Sequence, residues 1–416
     1  MNPRGLLFPK QLLLTALLGL LPCCLADAAD HPLAGATHVI VNKPASGRAL
    51  GWPANGGLWN WGNEILVMYL DCPYKNNPGF SNHDSDQEHP SARWMTSRST
   101  DGGVTWTEHR VAFPDPRANR TLKPRTLTTP VDFRAPDTIV TFHWDSLQPG
   151  ARTYFYYSED RGRTWQGPYD NIPLFDFKAI TGRTDYEVTD KHRLTAYMSC
   201  TEAADGACVR ESSYAIVTED GGVTWKKGPR ISRELPPCGQ GHKIEYSAMP
   251  STVRVDARTL VTAFRSGYTP AQGRRMGWID ITCSTDDGQT WRVVNERLME
   301  MPTLNSSPPA LSRLPSGRLV CSWGWRLSDN GTAPTAIQAR TSDDNGTTWG
   351  DTLTLRRDGF DYDIGYCRQA VRPDGKVVTV YYYRTKRDGQ SPTYIAATIW
   401  NADKPGGQNE KQNTSK

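Results

Sequence analysis

One eight-residue phrase recurs five times in this chain: STDGGVTW (99–106), SEDRGRTW (158–165), TEDGGVTW (218–225), STDDGQTW (284–291) and SDDNGTTW (342–349). Its central acids, Asp101, Asp160, Asp220, Asp286 and Asp344, stand 59, 60, 66 and 58 residues apart. Spacing that regular marks the repetition of one structural unit. The phrase also has physical content. The Asp carboxylate can accept N–H bonds inside its own turn, the Gly permits positive φ, and the Trp starts the next strand as an apolar plug.

The 416 residues include 36 Gly, 30 Pro, 14 Trp, 17 Tyr and 10 Phe, with few long runs at helical spacing. Such a chain reads as all-β, with many short strands joined by turns. A strand–turn–strand pattern precedes each phrase: GGLWNW-GN-EILVMY before the first, VDFRAPDTIVTFHW before the second, TDYEVTDKHRLTAYMS before the third. SAMPSTVRVDARTLVTAFR and PALSRLPSGRLVCSWGW precede the fourth and fifth. Lys plus Arg (48) against Asp plus Glu (44) leaves +4, and Arg4 and Lys10 supply two of those charges. The remaining charge, about +2, argues against a nucleic-acid-binding protein.

Residues 1–26 pair Arg4 and Lys10 with the apolar stretch QLLLTALLGLL and end on Ala26, the pattern of a secretory signal peptide. The apolar stretch is far short of the ~20 residues that cross a bilayer, so no membrane span is expected. The expected location is secreted or periplasmic, without a lipid anchor on Cys23 or Cys24, and the chain is expected to be a monomer. Cys200 and Cys208 flank the loop TEAADGA between two expected strands, where they can close a disulfide across a hairpin. Cys72, Cys238, Cys283, Cys321 and Cys367 lack CxxC spacing and no HExxH occurs, so neither metal nor cofactor is expected. Residues 401–416 carry no apolar anchors and read as a disordered tail.

The five phrases resemble the Asp boxes of the sialidase superfamily, which join the third and fourth strands of propeller blades. The resemblance implies a six-bladed β-propeller of four-stranded antiparallel blades over residues 27–400. The sixth blade, YCRQAVRPDGKVVTVYYYR with YIAATIW, lacks a box, and HVIVN (38–42) would complete it from the amino terminus. In that family the boxes are structural and lie on the face opposite the active site. The opposite face of this chain gathers Trp52, Asn55, the loop 71–92, His143, Asp145, Arg183, Asp185, Glu245, Tyr246, Arg265, Asn305, Arg326, Asp361, Asp363, Tyr366 and Arg368.

The family's catalytic tyrosine sits at the start of a first strand, eight residues before an Asp-Gly turn. Tyr366 stands eight residues before Asp374-Gly375. A neutral phenol suits attack on an anomeric carbon that bears a carboxylate, because a carboxylate nucleophile would be repelled. The phenol then needs a base, and the resemblance points to Glu245. The family's proton donor is an Asp in the loop after the second strand of blade one. Here that loop is DCPYKNNPGFSNHDSDQEHPSA, in which Asp84 and Asp86 are the candidate donors and His83 is a substrate contact or alternative acid/base.

Sialidases grip the substrate carboxylate with three arginines, whose planar forks bind two oxygens at once. Arg265, nine residues after Asp256, and Arg326 resemble two of them. The third belongs to an Arg-Ile-Pro phrase that this chain lacks, having Gly51-Trp52-Pro53-Ala54-Asn55 in its place. Arg48, Arg183 or Arg368 would have to substitute, with Asp185, Trp52 and Asn55 as further substrate contacts. The leading expectation is an exo-glycosidase acting on a terminal acidic sugar of a glycan, retaining through Tyr366. The alternatives are a glycosidase or lyase on a uronic acid or rhamnose-containing polysaccharide, working through the His83/Asp84 loop, and a non-catalytic glycan-binding propeller.

Overall fold

The computed structural model describes residues 33–75, 83, 85–87, 89–111, 121–146, 148–204, 208–236, 242–270, 276–301, 306–326, 335–360, 363–385 and 392–404. The fold is all-β. After β1 (Thr37–Asn42) come β2 (Arg48–Gly51), the single-turn helix α1 (Pro53–Gly56), β3 (Gly57–Trp61), β4 (Glu64–Pro73), β5 (Arg93–Ser99) and β6 (Thr107–Arg110). Strands β2 to β6 form one antiparallel sheet in which β2 and β3 both pair with β4. A second sheet holds β7 (Ile139–Trp144), β8 (Thr153–Ser158) and β9 (Gln166–Tyr169).

The next nine strands follow the same up-and-down order. They are β10 (Ala179–Thr181), β11 (Tyr186–Val188), β12 (Leu194–Ala204), β13 (Val209–Thr218) and β14 (Lys226–Arg230), then β15 (His242–Arg254), β16 (Leu260–Pro270), β17 (Met276–Ser284) and β18 (Arg292–Met301). A short parallel pairing of β13 with β15 joins the two groups into one sheet. A fourth sheet comprises β19 (Ala310–Arg313), β20 (Leu319–Trp325), β21 (Thr335–Ser342) and β22 (Leu353–Gly359). The last has β23 (Gly365–Val371), β24 (Val377–Tyr383) and β25 (Tyr394–Trp400), with β1 antiparallel to β25. HVIVN therefore pairs where the sequence places it, and the first and last of the described strands share one sheet.

The apolar cores lie between neighbouring sheets, as the alternation of side chains across a strand requires. Leu66 and Met68 share one cluster with Val378, Val380 and Ile399, and Ile279 and Ile281 share another with Leu319 and Trp323. First strands touch in series: β15 meets β19, β19 meets β23, and β23 meets α1 and β3.

All five repeated phrases fall in the same place, between the last two strands of a group. In the fourth, Asp286 Oδ1 accepts from the Thr290 amide (2.9 Å) and the Ser284 hydroxyl (2.8 Å), and Oδ2 accepts from Thr290 Oγ1 (2.6 Å). Trp291 Nε1 closes the turn on Gly288 O at 3.1 Å. The Thr290 and Ser284 bonds lower the Asp286 carboxyl to about 2.

Two readings of the sequence need correction. Cys200 does not bond to Cys208. It is a free buried thiol opposite Ser212 in the β12–β13 register, while Cys208 is disulfide-bonded to a partner outside the described residues. The segment VDFR (131–134) is not a strand. Its amides turn to the neighbouring group, Val131 N donating to Gly221 O (3.0 Å) and Phe133 N to Lys191 O (2.8 Å), so β7 pairs on one side only. Beyond residue 400 the packed chain continues to Lys404, with Ala402 buried and Asp403 Oδ1 accepting from Ser316 Oγ at 2.9 Å. Among the described residues no helix is long and apolar enough to cross a membrane.

Candidate active site

Tyr366 is held by its backbone. Gly365 and Tyr366 both have positive φ (+103° and +50°), and the β23–β24 register shifts between Gly365 and Arg368. A bulge of this kind re-aims a side chain, and non-glycine residues in the left-handed region concentrate at functional sites. The Tyr366 amide donates to Ser307 Oγ at 3.0 Å. A Cβ at position 365 would lie 2.4 Å from that oxygen, so only glycine lets the backbone pass there.

Two guanidiniums flank the phenol. Arg265 Nη1 lies 3.5 Å from Tyr366 Oη and the Arg326 guanidinium carbon sits 5.4 Å from the ring centre. Arg326 is buried, donating through Nε to Ile364 O (2.8 Å) and through Nη2 to Tyr382 Oη (3.1 Å). The Tyr382 ring lies 5.8 Å from that of Tyr366, nearly edge-on.

Next to this pair is a second constellation. His83 Nδ1 lies 2.7 Å from Oδ1 of Asp363, which also accepts from the Tyr382 hydroxyl. Trp52 meets the imidazole edge-on at 5.2 Å and Tyr382 at 5.9 Å. Asp363 is buried, which by itself would raise its carboxyl. His83, the Tyr382 hydroxyl and Arg326 outweigh that burial and hold it below the usual carboxylate range. Burial, reinforced by the Asp363 charge, pushes the Tyr382 phenol well up, consistent with Tyr382 donating its proton to Asp363.

The remaining expected residues divide into separate groups. Asn55, Arg183, Asp185 and Arg368 form a largely buried network: Arg183 Nε donates to Asn55 Oδ1 (3.1 Å) and its guanidinium covers Trp144 (4.6 Å). Arg368 donates to the carbonyls of Ala54 (2.7 Å) and Thr184 (2.5 Å), with Asp185 Oδ1 at 4.0 Å. Burial pushes Asp185 up to about 6 against the pull of Arg368. Asp185 and Arg368 border a cavity of about 340 Å³ walled by Trp59, Trp61 and Tyr186. Glu245 pairs with Arg233 (3.3 Å), whereas its neighbour Tyr246 lies beneath Arg265 (5.0 Å), because alternation along β15 sends the two side chains to opposite faces. Asp86 pairs with Lys75 at 2.8 Å, and Asp84 lies outside the described residues.

The sequence reading placed Asp363 on this face without its partner and did not single out Tyr382. The usable signal was the strand period. Counting back from the Asp374-Gly375 turn sets Tyr382 opposite Tyr366, and the bulge between Gly365 and Arg368 shifts that pairing by one residue, to Gly365.

A family model described as "BNR repeat-like domain" matches residues 84–380. No curated protein matches the sequence. Among solved structures, a protein of unknown function from Dyadobacter fermentans superposes with a TM-score of 0.64 at 19% identity, covering 89% of this chain and 100% of that one. The Penicillium chrysogenum alpha-L-arabinanase, complexed with arabinobiose, gives 0.58 at 15% identity over 89% of this chain and 99% of its own. Trypanosoma rangeli sialidase gives 0.56 at 15% identity over 88% of this chain and 59% of its own. These likenesses show a propeller-like β fold.

Proposed function

We propose, from the premise that the chain belongs to the BNR repeat-like domain family, that it is a secreted glycoside hydrolase removing a terminal acidic, sialic-acid-like sugar from glycans. Its frame in this reading is a six-bladed propeller closed by β1, supported by the series of contacts between first strands that returns to α1 and β3. The observation that carries the functional reading is the Tyr366 phenol, fixed at a bulge between Arg265 and Arg326.

The substrate carboxylate would sit on Arg265, the more accessible guanidinium, with Arg326 adding positive charge behind the phenol. Tyr366 Oη then bonds to the anomeric carbon as the glycosidic C–O bond breaks, and water later releases the sugar from the tyrosine with net retention. Glu245 enters as acceptor of the phenolic proton. Its position on the face of β15 away from Tyr246 makes a relay through water the route this reading requires. Trp52 occupies the ground of the family's third arginine. The loss of that charged fork costs about 1.5–3 kcal/mol of carboxylate binding, and Trp52, which is buried against His83 and Tyr382, braces the site and does not replace the fork.

A second reading is favoured by one observation, the His83–Asp363 pair. Acid/base work by His83 on a uronic acid or rhamnose-containing polysaccharide would make the chain a polymer-degrading propeller. A panel of 4-methylumbelliferyl glycosides that includes the α-sialoside separates the two, with Tyr366→Phe as control. Sialoside turnover that disappears in Tyr366→Phe is the expected result. Full turnover in that variant would sink the tyrosine mechanism, and an unsaturated or neutral sugar product from a polysaccharide would favour the second reading.

A further inference from the structure

We infer that His83, oriented by the buried Asp363, is the proton donor to the departing glycoside, so that an imidazole does in this chain the work the sialidase resemblance gives to an aspartic acid. The inference rests on the hydrolase reading above and adds to it the identity of the acid. Its warrant is geometric. The side chain of Asp363 is almost fully enclosed (2% exposed) and its Oδ1 lies 2.7 Å from His83 Nδ1, while the imidazole itself is about a third exposed. A carboxylate bonded at Nδ1 fixes the ring orientation and the tautomer and leaves Nε2 as the ring's other site for a proton.

The neighbours support the same role. Trp52 braces the ring edge-on, and its own backbone is held at φ +58° immediately before α1. Among the described residues, the charged and titratable groups that hydrogen bonds link to the imidazole are Asp363 directly, Tyr382 through its bond to Asp363, and Arg326 through its bond to Tyr382. Asp363 and Tyr382 thus tie the donor to the group that carries Tyr366, placing acid and nucleophile on one connected set of contacts. The charges are also consistent. Arg265 and Arg326 outnumber Asp363 and leave a positive site for an anionic sugar. Asp86, by contrast, is already paired with Lys75.

In the first step Nε2–H passes its proton to the glycosidic oxygen as that oxygen leaves the anomeric carbon, while Tyr366 Oη bonds to that carbon and its phenolic proton goes through water to Glu245. In the second, neutral His83 takes a proton from the water that attacks the same carbon, the tyrosine–carbon bond breaks, the departing phenolate takes back the proton held on Glu245, and all three side chains return to their starting forms.

The test compares two leaving groups on one sugar, 4-methylumbelliferyl α-sialoside and sialyllactose, for the unaltered chain, His83→Ala and Asp363→Asn. A phenolic leaving group departs with little help from an acid, and lactose does not. His83→Ala should lower kcat on sialyllactose by about 10²–10⁴-fold and on the aryl sialoside by far less. Asp363→Asn, a positioning change, should move the ratio of the two rates in the same direction by a smaller factor, with the melting temperature confirming that both variants fold. Equal losses on the two substrates, or none, would overturn the assignment of His83 while leaving the hydrolase reading standing. An unaltered chain silent on both substrates would overturn that reading and this inference with it.

Discussion

Gly162 and Gly375 share nearly the same backbone conformation, φ +79° and +78°, and differ in what surrounds them. A Cβ on Gly375 meets nothing within 4 Å, whereas one on Gly162 lies 2.5 Å from Cδ2 of Leu66, which is itself fully buried. Alanine at 375 should therefore cost only the left-handed conformation, about 1–2 kcal/mol. Alanine at 162 adds overpacking against the neighbouring sheet, about 1–3 kcal/mol more. Denaturant titration of both variants checks the difference, and equal losses would mean that Leu66 moves aside. The glycine of each phrase was legible in the sequence as a positive-φ turn residue. Its second duty, letting one sheet approach the next, was not legible, because the neighbour comes from a distant part of the chain. The same division runs through the candidate site. Tyr366 could be found from its distance to a turn, but the His83–Asp363 contact spans 280 residues and depends on how two loops meet, which no local pattern encodes.

Strand β1 is the element on which closure depends in the proposed ring. Its register runs from Thr37 opposite Ile399 to Asn42 opposite Ile395, and Val41 is buried in the cluster that holds Ile395, Ala397 and Ile399. A chain beginning at residue 44 would expose the amides and carbonyls of β25 as an open edge. Such a truncation should melt at lower temperature and run as aggregates in size-exclusion chromatography. Retention of the full-length melting temperature and a single peak would show that the last sheet does not need its amino-terminal strand. The sequence announced this element through HVIVN, an apolar segment with no box of its own. It failed at VDFR, where the alternating Val131 and Phe133 between Pro130 and Pro136 give their amides to Gly221 and Lys191. Strand propensity was present in both segments, and the availability of a partner edge decided between them.

Across the whole molecule, the five phrases put one acid-sensitive turn into most of the strand groups. Asp101 and Asp286 are lowered to about 2, and Asp160, Asp220 and Asp344 are lowered as well. For Asp286 the Thr290 bonds lead. For the other four, slight burial works upwards and is outweighed by bonds from the turn's own hydroxyls and amides, such as those of Thr105 on Asp101. A carboxyl near 3.9 in the unfolded chain and lower in the folded one binds fewer protons when folded. Its contribution to stability is therefore present above about pH 4 and is lost as pH falls towards 2. Asp185, pushed up to about 6 by burial, has the opposite sign: its contribution is present below about pH 4 and fades as pH rises through 6. The five turns outnumber it, so the melting temperature should fall steeply between pH 4 and pH 2, with the sheets loosening together because each turn anchors the packing between one sheet and the next. Asp286→Asn should start from a lower melting temperature at neutral pH and lose less of it on acidification. A melting temperature that stays level from pH 4 to pH 2, or an unchanged slope in Asp286→Asn, would show that these carboxylates are already protonated in the fold or contribute nothing to it.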